Sequence, residues 1–215
     1  MTLRCNNIGF YYNHDQWIFR GVNFGIKRGE IVGISGYSGC GKTSLSKILS
    51  NFQQPCEGEV LIDGKLISLK GFQKVQLIYQ HPEKSMNPKW KMKEILNESY
   101  SPDQDLLDTF GIKQEWMNRW PIELSGGELQ RFSIVRALNP LTEYIIADEM
   151  TTMLDGITQA YIWKQLLSIV KKRNLGLIVI SHEKELLKKI CDRIYLMEKG
   201  RLNIIPPPKD CLKVS

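Results

Sequence analysis

Gly36-Tyr37-Ser38-Gly39-Cys40-Gly41-Lys42-Thr43 fits the pattern G-x-x-x-x-G-K-[ST]. In such a loop, glycines let backbone N–H groups turn inward on phosphate oxygens, and the following helix adds partial positive charge at its N-terminus. Lys42 then reaches the β- and γ-phosphates, and Thr43 sets a hydroxyl on Mg²⁺. The candidate nucleotide contacts are Gly36, Ser38, Gly39, Cys40, Gly41, Lys42, Thr43 and Ser44. A glycine-rich turn with an exposed lysine is the plain alternative. The apolar run before the loop and the helix-like Ser44-Leu45-Ser46-Lys47-Ile48-Leu49 after it argue against that alternative.

Two further segments carry chemistry. Tyr144-Ile145-Ile146-Ala147-Asp148-Glu149 is an apolar strand ending in two acids. Adjacent carboxylates repel, and a divalent cation relieves that cost. Asp148 suits a Mg²⁺ partner through water, which leaves Glu149 to orient or deprotonate an attacking water. Taken alone, the pair also reads as a solvated strand end. In Leu124-Ser125-Gly126-Gly127-Glu128-Leu129-Gln130-Arg131, two glycines open a helix whose apolar positions Leu129, Phe132 and Val135 repeat at helical spacing. Ser125 caps it. The result is either a second anion-binding helix N-terminus or an ordinary capped helix.

These residues need a frame. Ile31–Ile34, Val75–Tyr79, Tyr144–Ala147 and Leu177–Ile180 are short, β-branched, apolar runs. They predict buried strands of a largely parallel sheet, each ending in a polar or glycine-rich segment. Ligands of open α/β sheets gather at the carboxyl ends of such strands. Leu3–Tyr12, Val22–Lys27 and a hairpin turning at Asp63-Gly64 predict an antiparallel layer beside it. Residues from about Pro82 to Trp120 predict a mostly helical insertion, and Pro206-Pro207-Pro208 ends regular structure.

Composition bounds the rest. The 215 residues suit one domain with a subdomain, and 42% hydrophobic with 24% charged residues excludes disorder. No apolar run is long enough to span a bilayer, and the N-terminus lacks the apolar core of a signal peptide, so a cytosolic setting is expected. The net charge of +6 is spread along the chain and selects no partner. Cys5, Cys40, Cys56, Cys191 and Cys211 are widely spaced and odd in number, which favours neither disulfides nor a zinc site.

Taken in order, these motifs resemble the ATP-binding-cassette family over about residues 3 to 201. Gly36–Thr43 resembles the Walker A motif, Gln80 the Q-loop glutamine, and Leu124–Gln130 the signature, with Glu128 where glutamine is usual. Asp148 and Glu149 resemble Walker B and the catalytic glutamate, Leu154-Asp155 the D-loop, and His182 the switch histidine. Tyr12 lies where an aromatic residue stacks on adenine, with Tyr11 as a rival.

The resemblance implies an α/β P-loop NTPase core with a mostly parallel sheet, an N-terminal antiparallel β layer and a helical subdomain. Residues 1–215 would form one cassette, with the signature subdomain at 82–140. It implies ATP and Mg²⁺ as cofactors. Glu149, His182, Gln80 and Lys42 would be catalytic, and Thr43, Gln80 and Asp148 would serve the metal. Ser125, Gly126, Gly127, Gln130 and Asp155 would contact nucleotide across a head-to-tail dimer.

Tyr79-Gln80-His81-Pro82 through Asn87-Pro88, and Trp120-Pro121-Ile122-Glu123, resemble the dipeptide, oligopeptide and nickel importers. That branch implies a peripheral subunit on the cytoplasmic face of the cell membrane. Its partners would be permeases, a second ATPase subunit and, indirectly, an extracytoplasmic binding protein, with no nucleic acid expected. Met150 replaces the usual proline, and Thr151-Thr152-Met153 replaces a T-S-A-like run. Competing expectations are a soluble cassette ATPase acting on DNA or ribosomes, and a P-loop kinase or regulatory nucleotide-binding module. At Cys40, beside Lys42 and a helix N-terminus, thiol alkylation is expected to block ATPase activity, with ATP protecting; the plain alternative is a small residue that fits.

Overall fold

The computed structural model describes residues 1–13, 16–68 and 70–205. Pro206-Pro207-Pro208 and Cys211 lie outside the described residues. In chain order the strands are β1 (Thr2–Tyr11), β2 (Trp17–Lys27), β3 (Ile31–Ser35), β4 (Glu57–Ile62), β5 (Lys65–Leu66), β6 (Val75–Ile78), β7 (Tyr144–Asp148), β8 (Gly176–Ile180), β9 (Arg193–Glu198) and β10 (Arg201–Ile205). The helices are α1 (Lys42–Leu49), α2 (Met92–Leu96), α3 (Gln104–Thr109), α4 (Gly126–Ala137), α5 (Gly156–Arg173) and α6 (Lys184–Ile190). They fall into two compact units. The first comprises Met1–Leu77, Glu143–Asp148 and Asn174–Ser215, and the second Ile78–Thr142 and Glu149–Arg173.

The first unit is built on two sheets. One is antiparallel, in the order β2-β1-β4-β5; the other runs β10-β9-β3-β8-β7-β6. β3 pairs in parallel with both β8 and β9, and β7 in parallel with β8, as the continuous apolar runs predict. Ile34, Ile146, Ile178 and Ile180 from the parallel sheet, Leu45 and Ile48 from α1, and Leu3, Ile8 and Phe10 from β1 share one core. Asp63 and Gly64 both have positive φ (52° and 76°), the backbone a tight two-residue hairpin needs. At the start of β8, Gly176 faces Tyr144, where a Cβ would lie 2.5 Å from the ring.

The second unit centres on α4, whose Phe132, Ile134 and Val135 are fully buried. Arginines anchor loops around it by charge-assisted bonds to carbonyl groups. Arg131 donates to the Phe110 carbonyl at 2.6 Å and Arg136 to the Ser85 carbonyl at 2.9 Å. The insertion after Pro82 is less helical than its composition suggests. It holds only the short α2 and α3, with 3-10 turns at Pro82–Ser85, Gln114–Asn118 and Pro121–Glu123. Pro82, Pro88, Pro102 and Pro121 cannot continue a helix, and Gly111 (φ 62°) turns the chain after α3.

Candidate nucleotide site

In the first unit, β3 runs straight into the glycine loop and α1. Gly36 lies against neighbouring backbone: a Cβ there would sit 2.5 Å from the Met197 carbonyl oxygen and 2.7 Å from Cys40 Sγ. Gly41 has φ 105° and leaves no room for a Cβ beside Ile18. At Gly39 (φ 80°) an added Cβ would meet nothing within 4 Å, and only the backbone conformation favours glycine there. The N-cap of α1, Gly41, has no side chain to cap the helix, which suits an anion at its first amides. The Lys42 side chain is drawn back over the loop. It is only 7% exposed, and its ammonium donates to the Gly36 and Tyr37 carbonyls at 2.9 and 3.0 Å.

Register explains how distant segments meet. Ile34 pairs with Ile180, and Asp148 pairs with Ile180 from the other side. Because all three strands run the same way, Gly36, Asp148 and His182 emerge at one edge of the sheet. Asp148 is buried and accepts a hydrogen bond of 3.0 Å from the Ser46 hydroxyl on α1. Ser46 also lies 2.9 Å from the Thr43 carbonyl, so one hydroxyl joins the glycine-loop helix to the acid at the end of β7. The sequence reading passes over Ser46. The available signal was its place one helical turn after Thr43, on the same face of α1. Ser46→Ala is expected to lower stability by about 1–3 kcal/mol, the cost of removing a partner from a buried polar group. Urea unfolding measures it.

A bulge gives Tyr11 and Tyr12 different surroundings. In β1, Leu3 and Cys5 point into the core, but after Asn7 (φ 50°) the inward positions become Ile8 and Phe10. Tyr12 therefore continues the inward phase past the strand end. Its ring meets Phe10 edge-on at 4.9 Å, and its hydroxyl lies 3.1 Å from Ser44 Oγ on α1, while 63% of the residue stays exposed. Tyr11 packs on Trp17 across the hairpin.

The cysteines change the reading of Cys40. Cys40 is 4% exposed and its thiol lies against Gly36, so a small residue that fits is what the packing requires. Burial pushes the Cys5 and Cys191 thiols up to about 12. Among the described residues, Cys56 is the exposed cysteine and the first expected to meet a reagent.

In the second unit, Ser125 caps α4 through a reciprocal box. Its hydroxyl accepts from Glu128 N at 3.3 Å, and Glu128 Oε2 accepts from Ser125 N at 2.7 Å. Glutamate in place of glutamine here adds a carboxylate at the positive end of the helix. The two glycines differ. Gly126 faces open space, whereas a Cβ on Gly127 would press on Leu154 at 3.2 Å. Gln130 is buried, and its amide donates to the Tyr79 carbonyl at 3.4 Å, holding α4 to the residue before Gln80. Asp155 accepts from the Ile157 and Thr158 amides at the start of α5. The Thr158 bonds hold its carboxyl below the usual range. In this structure, then, the side chains of Gln130 and Asp155 serve the unit's own backbone. Glu149 sits in a left-handed conformation (φ 49°), and Thr152 donates to its carbonyl at 3.0 Å. The Gln80 amide donates to Thr152 Oγ1 at 3.1 Å. Thr151, buried, accepts from Gln159 and Trp163 of α5, both at 3.1 Å.

A family model described as "ABC transporter" matches residues 19–152. The chain is 35% identical over 202 residues to the "Putative oligopeptide transport ATP-binding protein YkfD" of Bacillus subtilis (strain 168), covering 85% of this chain and 61% of that protein. It is 31% identical over 217 residues to the "Nickel import system ATP-binding protein NikE" of Staphylococcus aureus (strain N315), covering 93% of this chain and 88% of that protein. The chain thus spans less than two thirds of the first relative's length and most of the second's. A dimeric ATP-binding cassette solved in a post-hydrolysis state with ADP and Pi superposes with a TM-score of 0.82 at 24% identity, over 97% of this chain and 100% of that one, a likeness of fold. With a model matched over more than half its length and relatives above 30% identity along most of it, the chain belongs to the ATP-binding-cassette (ABC) transporter family.

Proposed function

We propose that this chain binds and hydrolyses ATP as the energy-supplying subunit of an importer for peptides, nickel or a metal chelate. The observation that carries it is the shared edge of the parallel sheet, where register brings the glycine loop, Asp148 and His182 together over a buried Lys42. The residues fit the cofactor. The first amides of α1 and the Lys42 ammonium suit a triphosphate, and a hydroxyl (Thr43) plus a carboxylate (Asp148) are the hard oxygen donors that Mg²⁺ takes alongside phosphates. Bound magnesium neutralises phosphate charge. Lys42 and the loop amides orient the triphosphate, Gln80 serves the metal, Glu149 orients and deprotonates the water, and His182 senses the terminal phosphate.

Ser125 and Gly126 lie exposed at the start of α4, which suits contact with nucleotide held by a second ATPase subunit. Residues 82–140 act as the signature-bearing helical part of a single cassette. Among the described residues no helix is long and apolar enough to cross a membrane. In this reading membrane passage falls to permease partners, with this chain docked at their cytoplasmic face and an extracytoplasmic binding protein delivering cargo. The branch similarity and the names of the relatives support import.

Co-expression with candidate importer permeases tests the reading. Co-purification and ATP-dependent uptake in vesicles are expected. Hydrolysis stimulated only by DNA or ribosomes, or phosphate transfer to a small acceptor, overturns it. Tyr12→Ala is expected to weaken ATP binding roughly 5- to 100-fold, from the ~1–3 kcal/mol that base–aromatic stacking contributes, while Tyr12→Phe retains most of the affinity. Fluorescent-nucleotide titration of both, with Tyr11→Ala unchanged in affinity, checks which ring meets the base.

A further inference from the structure

Glu149 and Gln80 are joined through one hydroxyl. Thr152 Oγ1 lies 3.0 Å from the Glu149 carbonyl and 3.1 Å from the Gln80 amide nitrogen, and the Thr152 backbone N–H also donates to the Glu149 carbonyl at 3.3 Å. Proton bookkeeping makes this arrangement directional. A carbonyl oxygen only accepts, so the single Thr152 hydroxyl proton goes to Glu149. The hydroxyl then has only lone pairs left for Gln80, so Gln80 must present its NH₂ group. That choice turns Oε1, the atom able to bind a cation, away from Thr152. The same hydroxyl, together with the Thr152 N–H, fastens the carbonyl of a residue held at φ 49°, a conformation that non-glycine residues seldom adopt.

The elements around the turn fix Thr152 itself. Its neighbours Met150 and Thr151 are buried, and Thr151 accepts hydrogen bonds from two side chains of α5. Met150, standing where the family usually has proline, removes a ring constraint on the residue after Glu149. The turn is instead held by side-chain bonds.

We propose that Thr152 is a positioning residue: it sets which face of the Gln80 amide is offered to magnesium and locks the backbone that aims Glu149. This rests on the reading that Gln80 serves the metal and Glu149 the water.

The test uses the full chain and Mn²⁺ as the probe, with electron paramagnetic resonance following Mn²⁺ binding in the presence of ATP, so the readout needs no turnover. Thr152→Val keeps the shape and removes the hydroxyl; Thr152→Ser keeps the hydroxyl. Thr152→Val is expected to weaken Mn²⁺ binding about 5- to 20-fold and to lower kcat 10- to 100-fold, with metal-free ATP binding (in EDTA) unchanged. Thr152→Ser recovers most of both. Gln80→Ala in the Thr152→Val background adds less than twofold to the Mn²⁺ loss, because the two act through one amide. Thr152→Ala takes the place of Thr152→Val if the valine variant does not fold.

The proposal falls if Thr152→Val and Thr152→Ala bind Mn²⁺ within twofold of the parent, if Thr152→Ser is as impaired as they are, or if metal-free ATP binding is lost to the same extent. If Gln80→Ala alone leaves Mn²⁺ binding unchanged, the metal role of Gln80 fails instead. A normal Gln80→Ala defect beside an unaffected Thr152→Val sinks only the role of Thr152.

Discussion

Glu149→Gln is expected to leave ATP binding intact and to slow hydrolysis about 10²- to 10⁴-fold, the range that removing a general base produces. The change is isosteric. It keeps the residue at the end of β7, the turn held by Thr152, and the backbone at φ 49°. What disappears is a group able to take a proton from water. Because bound triphosphate then persists, the signature faces of two subunits should stay closed over it. Phosphate release measures the first effect, and ATP-dependent dimer formation by light scattering measures the second. A turnover rate within tenfold of the parent shows that another group activates the water.

Lys42→Met separates binding from chemistry. The ammonium is almost fully buried and lies within reach of two loop carbonyls, so it is already placed over the cradle before phosphate arrives. Each charge-assisted hydrogen bond contributes about 1.5–3 kcal/mol. Losing two such contacts to phosphate oxygens weakens ATP binding by about 10²- to 10⁴-fold. Methionine fills the volume of the lysine stem, so the loop and α1 should keep their structure, which circular dichroism checks. An ATP affinity within threefold of the parent removes Lys42 from the phosphate site. The two variants diverge in kind. The glutamate variant binds ATP and stalls, whereas the lysine variant barely binds.

Much of the fold is legible because its signals are local. The runs at Ile31, Val75, Tyr144 and Leu177 become β3, β6, β7 and β8 within a residue or so of the expected limits. Buried parallel strands require continuous apolar residues on both faces, and no exposed face blurs the pattern. The apolar stripe of α4 and its Ser125 cap are equally local. The insertion is harder. Its helices are one or two turns long and held by arginine-to-carbonyl bonds from α4, partners far away in sequence. β9 and β10 form an antiparallel pair at the sheet margin, with charged ends and mixed burial that carry no comparable signature.

By itself, the amino-acid sequence determines the chemical inventory and the elements that carry it: a glycine loop between strand and helix, acids at a strand end, and a serine-capped glycine pair opening another helix. Those features depend on neighbours a few residues apart. Only the tertiary structure decides that Tyr12 rather than Tyr11 faces α1, because one bulged residue reverses the alternation of β1. It alone decides that Ser46 holds Asp148, that Gln130 turns inward to Tyr79, and that Cys40 is packed beneath the loop. Each of these depends on register or packing between segments distant along the chain. A shift of one residue there exchanges the buried face for the exposed one, and spacing along the chain does not record it.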